Sequence, residues 1–312
     1  MALTLTEAAK FTTNMVKRGV IEEVISESVV LQKLPFIDVV GNAYQYLREN
    51  AIGSAAFFDP GEVWTEETPT FTQKTATIKI MGGDADVDEF IKATRQDKTD
   101  VEAETIQAKA KGIKYTFLDK FYYGSSTTNT KEFDGLHTIL SGSDMTAQVL
   151  HAGSGSTGNV LTAALMDRLM DLTKDGEWDV LLVTRAVRRR ISAFIRANGG
   201  LYQAGFNDYG QSVKSWNDVP IKIDDKLTQT ETIASDAYSA KTGGATSTVF
   251  AVRFGTKHLV GLQNGGLSTK KIGQIESKDA MRWRIKWYVG LALMTTLGLA
   301  GIDGVTDAAM TT

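Results

Sequence analysis

The segment TDVEAETIQAKAKGIKYTFLDKFYY, Thr99 to Tyr123, reads as one long helix, and its reading decides how the rest of the chain is arranged. Thr99 and Glu102 form a capping-box pair, each side chain satisfying an orphan backbone N–H of the first turn. Asp100, Glu102 and Glu104 crowd the start while Lys109, Lys111 and Lys114 come later, the order a helix dipole favours. Ile106, Ala110, Ile113, Phe117 and Phe121 recur at helical spacing as one apolar stripe. Val101, Ala108, Tyr115 and Tyr122 widen the stripe, which predicts packing on more than one side. Gly124 stops the helix. At ~1.5 Å per residue it spans about 35 Å, the width of a small domain. Nothing in it suggests catalysis; it is a backbone for something flat or extended.

Composition narrows the functions that such a backbone serves. A chain of 312 residues buries a sizeable core in one or two domains. Its formal charge of −3, with no basic arm, disfavours a protein that condenses nucleic acid by charge. The absence of cysteine excludes disulfides, thiol catalysis and thiolate metal sites. Only His137, His151 and His258 are histidines, spread far apart, so a histidine-rich metal centre is not expected; no metal or cofactor is assigned. The start MALTLTEAAKF lacks the plan of a signal peptide. The most apolar run, Tyr288 to Ile302, falls short of the ~20 residues of a membrane span and is read as a buried strand.

Before the long helix, Thr4 and Glu7 open another helix that continues to about Glu27, and Pro35 ends that segment. Phe36 to Asn50 and Thr70 to Gly82 have strand patterns; in the second, Thr75, Thr77 and Lys79 alternate with Ala76, Ile78 and Ile80. AIGSAAFFDPGEVWTEETP lies between them, a long loop of the kind that is usually functional. It carries Phe57, Phe58, Val63 and Trp64, rings and branches that a solvated tip does not ordinarily expose. Two readings stand side by side: they fold back on their own domain, or a projecting hairpin lays them on a neighbouring molecule. Asp84, Asp86 and Asp88 share one strand face, and a solvated or ion-paired face is favoured over a calcium loop, because Glu89 and Arg95 stand where that loop needs glycine and a carboxylate.

Beyond the long helix, Ser125 to Ser143 is polar and reads as a hinge. A strand, a helix and a second strand follow, with Gly153, Gly155 and Gly158 matching G-x-G-x-x-G. Val183, Thr184 and Arg185 stand where a dinucleotide fold needs a ribose-binding acid, so a Gly/Ser linker is the preferred reading. Arg185, Arg188, Arg189, Arg190 and Arg196 fall on the next helix, a solvated or intersubunit-paired basic face. MRWRIKW alternates Arg282, Arg284 and Lys286 with apolar residues, and that strand is expected to run on into the apolar segment ending near Val305.

This order of parts resembles the tailed-bacteriophage major capsid protein family, whose Hong Kong 97-type capsid fold, an α+β fold, is shared with encapsulins. KFYYGSS followed by Gly135-Leu136, WDVLLVTRAVRRRISAFI, and Val213 to Ile221 are similar to that family's local motifs, with Asn217-Asp218 in place of the usual turn glycine. The resemblance implies an N-terminal arm (1–35), an extended hairpin or E-loop (36–83), a peripheral domain (84–140 and 275–312) containing the spine helix (99–123), and an axial domain (141–274). It implies a non-enzymatic subunit that assembles with itself into hexamers and pentamers of an icosahedral virion shell, made in the host cytoplasm. Phe57, Phe58, Val63 and Trp64 are then the E-loop contact, and Arg185, Arg188, Arg189 and Arg190 a candidate basic interface. Packaged double-stranded DNA is touched weakly, and scaffolding, portal and decoration proteins are candidate partners; no membrane is involved. With no lysine between Arg48 and Lys74, the E-loop lysine that cross-links some members is missing, so the shell is held non-covalently. Two other readings are an encapsulin-type compartment around a cargo enzyme and, in a different class, a dinucleotide-binding enzyme.

Overall fold

The computed structural model describes residues 29–51, 55–64, 66, 68–95, 101–153, 158–173, 177–197, 204–206, 212–231 and 246–311. The expected helix from Thr4 and the Thr99 cap lie outside those residues.

The long helix is present as α3, Val101–Tyr123; before it come the short helices α1 (Val29–Lys33) and α2 (Glu89–Arg95). Its stripe is the centre of the core: Ile106, Ala110, Ile113, Phe117 and Phe121 are all buried, as are Leu118 and Tyr122. Ala108 and Tyr115 do not widen the buried face as expected. They turn to solvent, with the ammonium of Lys226 5.0 Å from the centre of the Tyr115 ring. The helix stops where expected, with Gly124 N–H bonding back to Lys120 O at 2.9 Å.

One sheet packs along this helix. It contains β1 (Phe36–Asp38), β4 (Lys79–Asp88), β11 (Leu259–Gln263), β12 (Ser268–Ile275) and the 16-residue β13 (Lys278–Leu293). β4 runs antiparallel to β13 on one side, and β12 and β11 follow one another along its other side. The face that carries Ile285 and Trp287 meets the helix, with Trp287 and Phe117 ring centres 5.0 Å apart.

A second sheet of seven strands has the order β5 (Val149–His151), β14 (Leu299–Thr306), β10 (Thr246–Val252), β6 (Val180–Val183), β9 (Val219–Ile223), β8 (Ser212–Trp216), β7 (Ala204–Phe206). The short α4 (Leu136–Leu140) sits near the end of α3, while α5 (Ala163–Asp171) and α6 (Arg185–Ala197) cover the second sheet. Tyr122 of α3 reaches Phe250 of β10, ring centres 5.8 Å apart, so one core runs from the first sheet through α3 to the second. Described segments from both halves of the sequence, Val30 to Phe36 and Ile285 to Leu299, share the core around the helix.

Two expectations need correction here. The apolar segment from Tyr288 is two strands, because the chain turns through a short helix at Thr296–Gly298. β14 then joins the second sheet between β5 and β10, whereas its place in sequence grouped it with the peripheral segments. Likewise Phe36 to Asn50 is not one strand. β1 lies parallel to β11, and the chain turns at Gly41, φ +113°, a backbone angle that disfavours a side chain. β2 (Ala43–Ala51) then leaves the body beside β3 (Thr70–Thr77), and the two pair as an antiparallel arm. The buried Ile78, whose N–H bonds to Asn42 O, marks the root of that arm.

Candidate functional site

The arm ends in a tip that closes on itself. Asp59-Pro60-Gly61-Glu62 is a tight turn, with proline fixing the first central φ and Gly61 at φ +97° supplying the second. Glu62 N–H donates to Asp59 O at 3.1 Å, and Asp59 N–H donates to the Glu62 carboxylate at 2.8 Å. This turn brings Phe58 and Trp64 face to face, ring centres 4.8 Å apart and planes 16° from parallel. The stack does not bury them in the body: Trp64 remains 79% exposed, Val63 86% and Phe57 fully. Of the two readings of the loop, the geometry is that of a projecting hairpin. Leu47 and Phe71 add exposed apolar surface along the arm.

The arm is clamped to the body partway along its ladder. The Arg48 guanidinium donates to the carbonyls of Leu293 and Met294, where β13 ends, and pairs with Asp144. Lys74, from the other strand of the arm, reaches the same carboxylate at 3.1 Å. Burial alone would raise the Asp144 pKa, but the Lys74 hydrogen bond and the Lys74 and Arg48 charges outweigh it, and the group is held below the usual carboxylate range. One carboxylate therefore ties both strands of the arm to the body. Asp144 carries no local sequence signal, since Arg48 lies 96 residues away.

The basic helix is partly offset within its own chain, by two carboxylates against five arginines. Arg185 grips Asp225 with two bonds of 2.8 and 2.9 Å, and Asp307 accepts from both Arg189 (2.9 Å) and Arg190 (2.7 Å). Arg188 is half-buried. The strand-face acids are also paired: Asp84 lies opposite Arg284 and Asp86 opposite Arg282, each contact 2.7–2.8 Å, while Asp88 accepts from the N–H groups of Phe90 and Ile91 and caps α2. That agrees with the ion-paired reading of this face.

The described residues around the glycine motif lack the strand–helix–strand arrangement of a dinucleotide site. Gly155 lies outside the described residues, and α5 begins only at Ala163, five residues after Gly158, with Thr162 as its cap. Asn159 N–H is already bonded to Gly304 O. β5 and β6, which flank the motif, are separated in the sheet by β14 and β10 rather than paired in parallel.

No family model matches the chain, and no curated protein sequence does. Solved structures do. The SrpI encapsulin complex of Synechococcus elongatus PCC 7942 aligns with a TM-score of 0.69 at 17% identity, over 92% of this chain and 91% of that one. Mycobacterium phage Adephagia aligns with a TM-score of 0.60 at 15% identity, over 90% of each chain. The procapsid of satellite phage P4 aligns with a TM-score of 0.54 at 12% identity, over 97% and 98%. The α+β architecture is thus the Hong Kong 97-type capsid fold, found in phage capsids and in an encapsulin.

Proposed function

We propose that this chain is the major capsid protein of a tailed double-stranded DNA phage, assembling through non-covalent contacts into hexamers and pentamers of an icosahedral shell. The observation that carries this reading is the arm tip. An ordered turn holds Phe57, Val63 and Trp64 exposed off the body, with Phe58 stacked behind Trp64, an apolar surface suited to a neighbouring molecule. Burying a large apolar side chain is worth about 1.5–3 kcal/mol, and obligate interfaces commonly exceed ~2,000 Å², so such a tip is one anchor among several. Shell formation repeats the same heterologous contact until the rotation closes.

An encapsulin-type compartment is the second reading, favoured by the higher TM-score of the encapsulin match, 0.69 against 0.60 for the Adephagia match. Negative-stain microscopy and nuclease-protection analysis of particles from the natural source separate the two, DNA marking the first and a protein cargo the second. Trp64→Asp should leave the subunit folded by circular dichroism yet abolish shells in sedimentation. Normal shells from this variant would remove the tip from assembly, and a concentrated wild-type protein that stays monomeric would end the shell reading itself.

A further inference from the structure

The turn between β11 and β12, Asn264-Gly265-Gly266-Leu267, brings together the atoms of a spontaneous reaction. Asn264 is exposed and is, among the described residues, the one asparagine followed by glycine. Gly265 and Gly266 take φ values of +71° and +69°, a left-handed pair that residues with side chains rarely adopt. Nothing lies within 4 Å of where a Gly265 Cβ would sit, so the flank of the Asn264–Gly265 peptide bond is open. Among the described residues the Gly265 N–H donates to no partner, which leaves its nitrogen available. Asn129 and Asn159 differ, because Thr130 and Val160 follow them and set a branched side chain over the corresponding nitrogen.

The Asn264 side chain also holds the base of the arm. β1 is fastened to the end of β11 at both polar groups of Val39: its N–H donates to Gln263 O at 2.8 Å, and its O accepts from Asn264 Nδ2 at 3.0 Å. Val39 is buried, and two residues later the chain turns at Gly41 into the arm. A carboxylate at position 264 has no hydrogen to give, so it would leave the Val39 carbonyl facing a negative oxygen.

We infer that Asn264 is a site of spontaneous deamidation, and that the aspartate or isoaspartate formed there loosens the arm where it leaves the body. The Gly265 nitrogen loses its proton to hydroxide and attacks Asn264 Cγ. The new C–N bond closes a five-membered succinimide, and the side-chain nitrogen leaves as ammonia, taking a proton from water. A second water then opens the ring. Breaking the new bond to Cγ gives aspartate; breaking the original peptide bond gives isoaspartate, with Gly265 then attached through the side chain. Water is the only co-reactant, and each event adds a negative charge. This ageing goes beyond the shell reading and does not depend on it.

Purified full-length protein is held at mildly alkaline pH, digested with trypsin and followed by mass spectrometry. Residues 258–270 form one tryptic peptide, in which deamidation should run about tenfold faster than at Asn129 or Asn159. Isoaspartate should appear in it, a product that direct hydrolysis of the side-chain amide cannot give. Asn264→Gln should come through the same incubation unmodified at that position. Hydrogen exchange of residues 39–43 should rise several-fold in the aged wild type and in Asn264→Asp. An Asn264 amide that stays intact, or aspartate without isoaspartate, would overturn the site. Unchanged exchange in both the aged protein and Asn264→Asp would overturn its effect on the arm. Either failure leaves the shell reading standing, since neither measurement involves assembly.

Discussion

At the scale of single residues, Asp144 decides how the arm stands on the body, since one carboxylate holds Arg48 from β2 and Lys74 from β3. Asp144→Asn removes the charge and most of the clamp. It should cost about 1 kcal/mol in denaturant unfolding, because the site is part-exposed and Arg48 keeps its two carbonyl acceptors. Hydrogen exchange of residues 43–51 and 70–77 should rise in the variant; unchanged protection would mean that the carbonyls alone fix the arm. The pH dependence has a definite sign. Asp144, Asp84, Asp86, Asp225 and Asp307 all have pKa values depressed in the folded chain, each by a neighbouring arginine or lysine. Their contribution is complete above the unfolded carboxylate value and is lost as pH falls below about 4 through the folded values. Unfolding midpoints should therefore drop in acid, and drop less in Asp144→Asn.

At the scale of elements, α3 is the member on which both sheets depend. Phe117 is fully buried and its ring meets those of Phe36, Phe121, Phe133 and Trp287. Phe117→Ala should destabilise the subunit by about 3–5 kcal/mol by the midpoint of chemical unfolding. A loss under 1 kcal/mol would mean that the sheets hold each other without the helix. This element was legible in the sequence because a 3.6-residue period reports which side of a helix is covered. The period was over-read at Ala108 and Tyr115, since a stripe does not give the width of the surface packed against it. The β8–β9 turn was legible too: Asn217 and Asp218 have φ values of +45° and +65°, a left-handed pair that these residue types tolerate in place of glycine. The short α4 escaped notice, five residues being too few to show a period.

At the scale of the whole molecule, a single core crosses from one sheet to the other, while the most apolar exposed feature is an arm that leaves that core. On the shell reading proposed above, such a molecule is completed by its neighbours. The arm holds no lysine between Arg48 and Lys74, so the particles should be held by contact alone. Boiled in detergent, they should run as one band at the monomer's size. A ladder of higher bands from wild-type particles would show a covalent link that the arm does not supply.

The sequence by itself determined the long helix and its buried stripe, the two strand limbs of the arm with the long loop between them, and the order of parts that marks the fold. All of these depend on neighbours a few residues apart, where periodicity and turn chemistry act. Only the tertiary structure decided that β14 enters the second sheet, that Asp144 clamps the arm, that Asp225 and Asp307 pair with three of the α6 arginines, and that the aromatic tip stands off the body. Those contacts join residues some forty to two hundred and fifty positions apart. Closing a longer loop costs only slightly more entropy than closing a shorter one, so separation along the chain says almost nothing about which charge finds which.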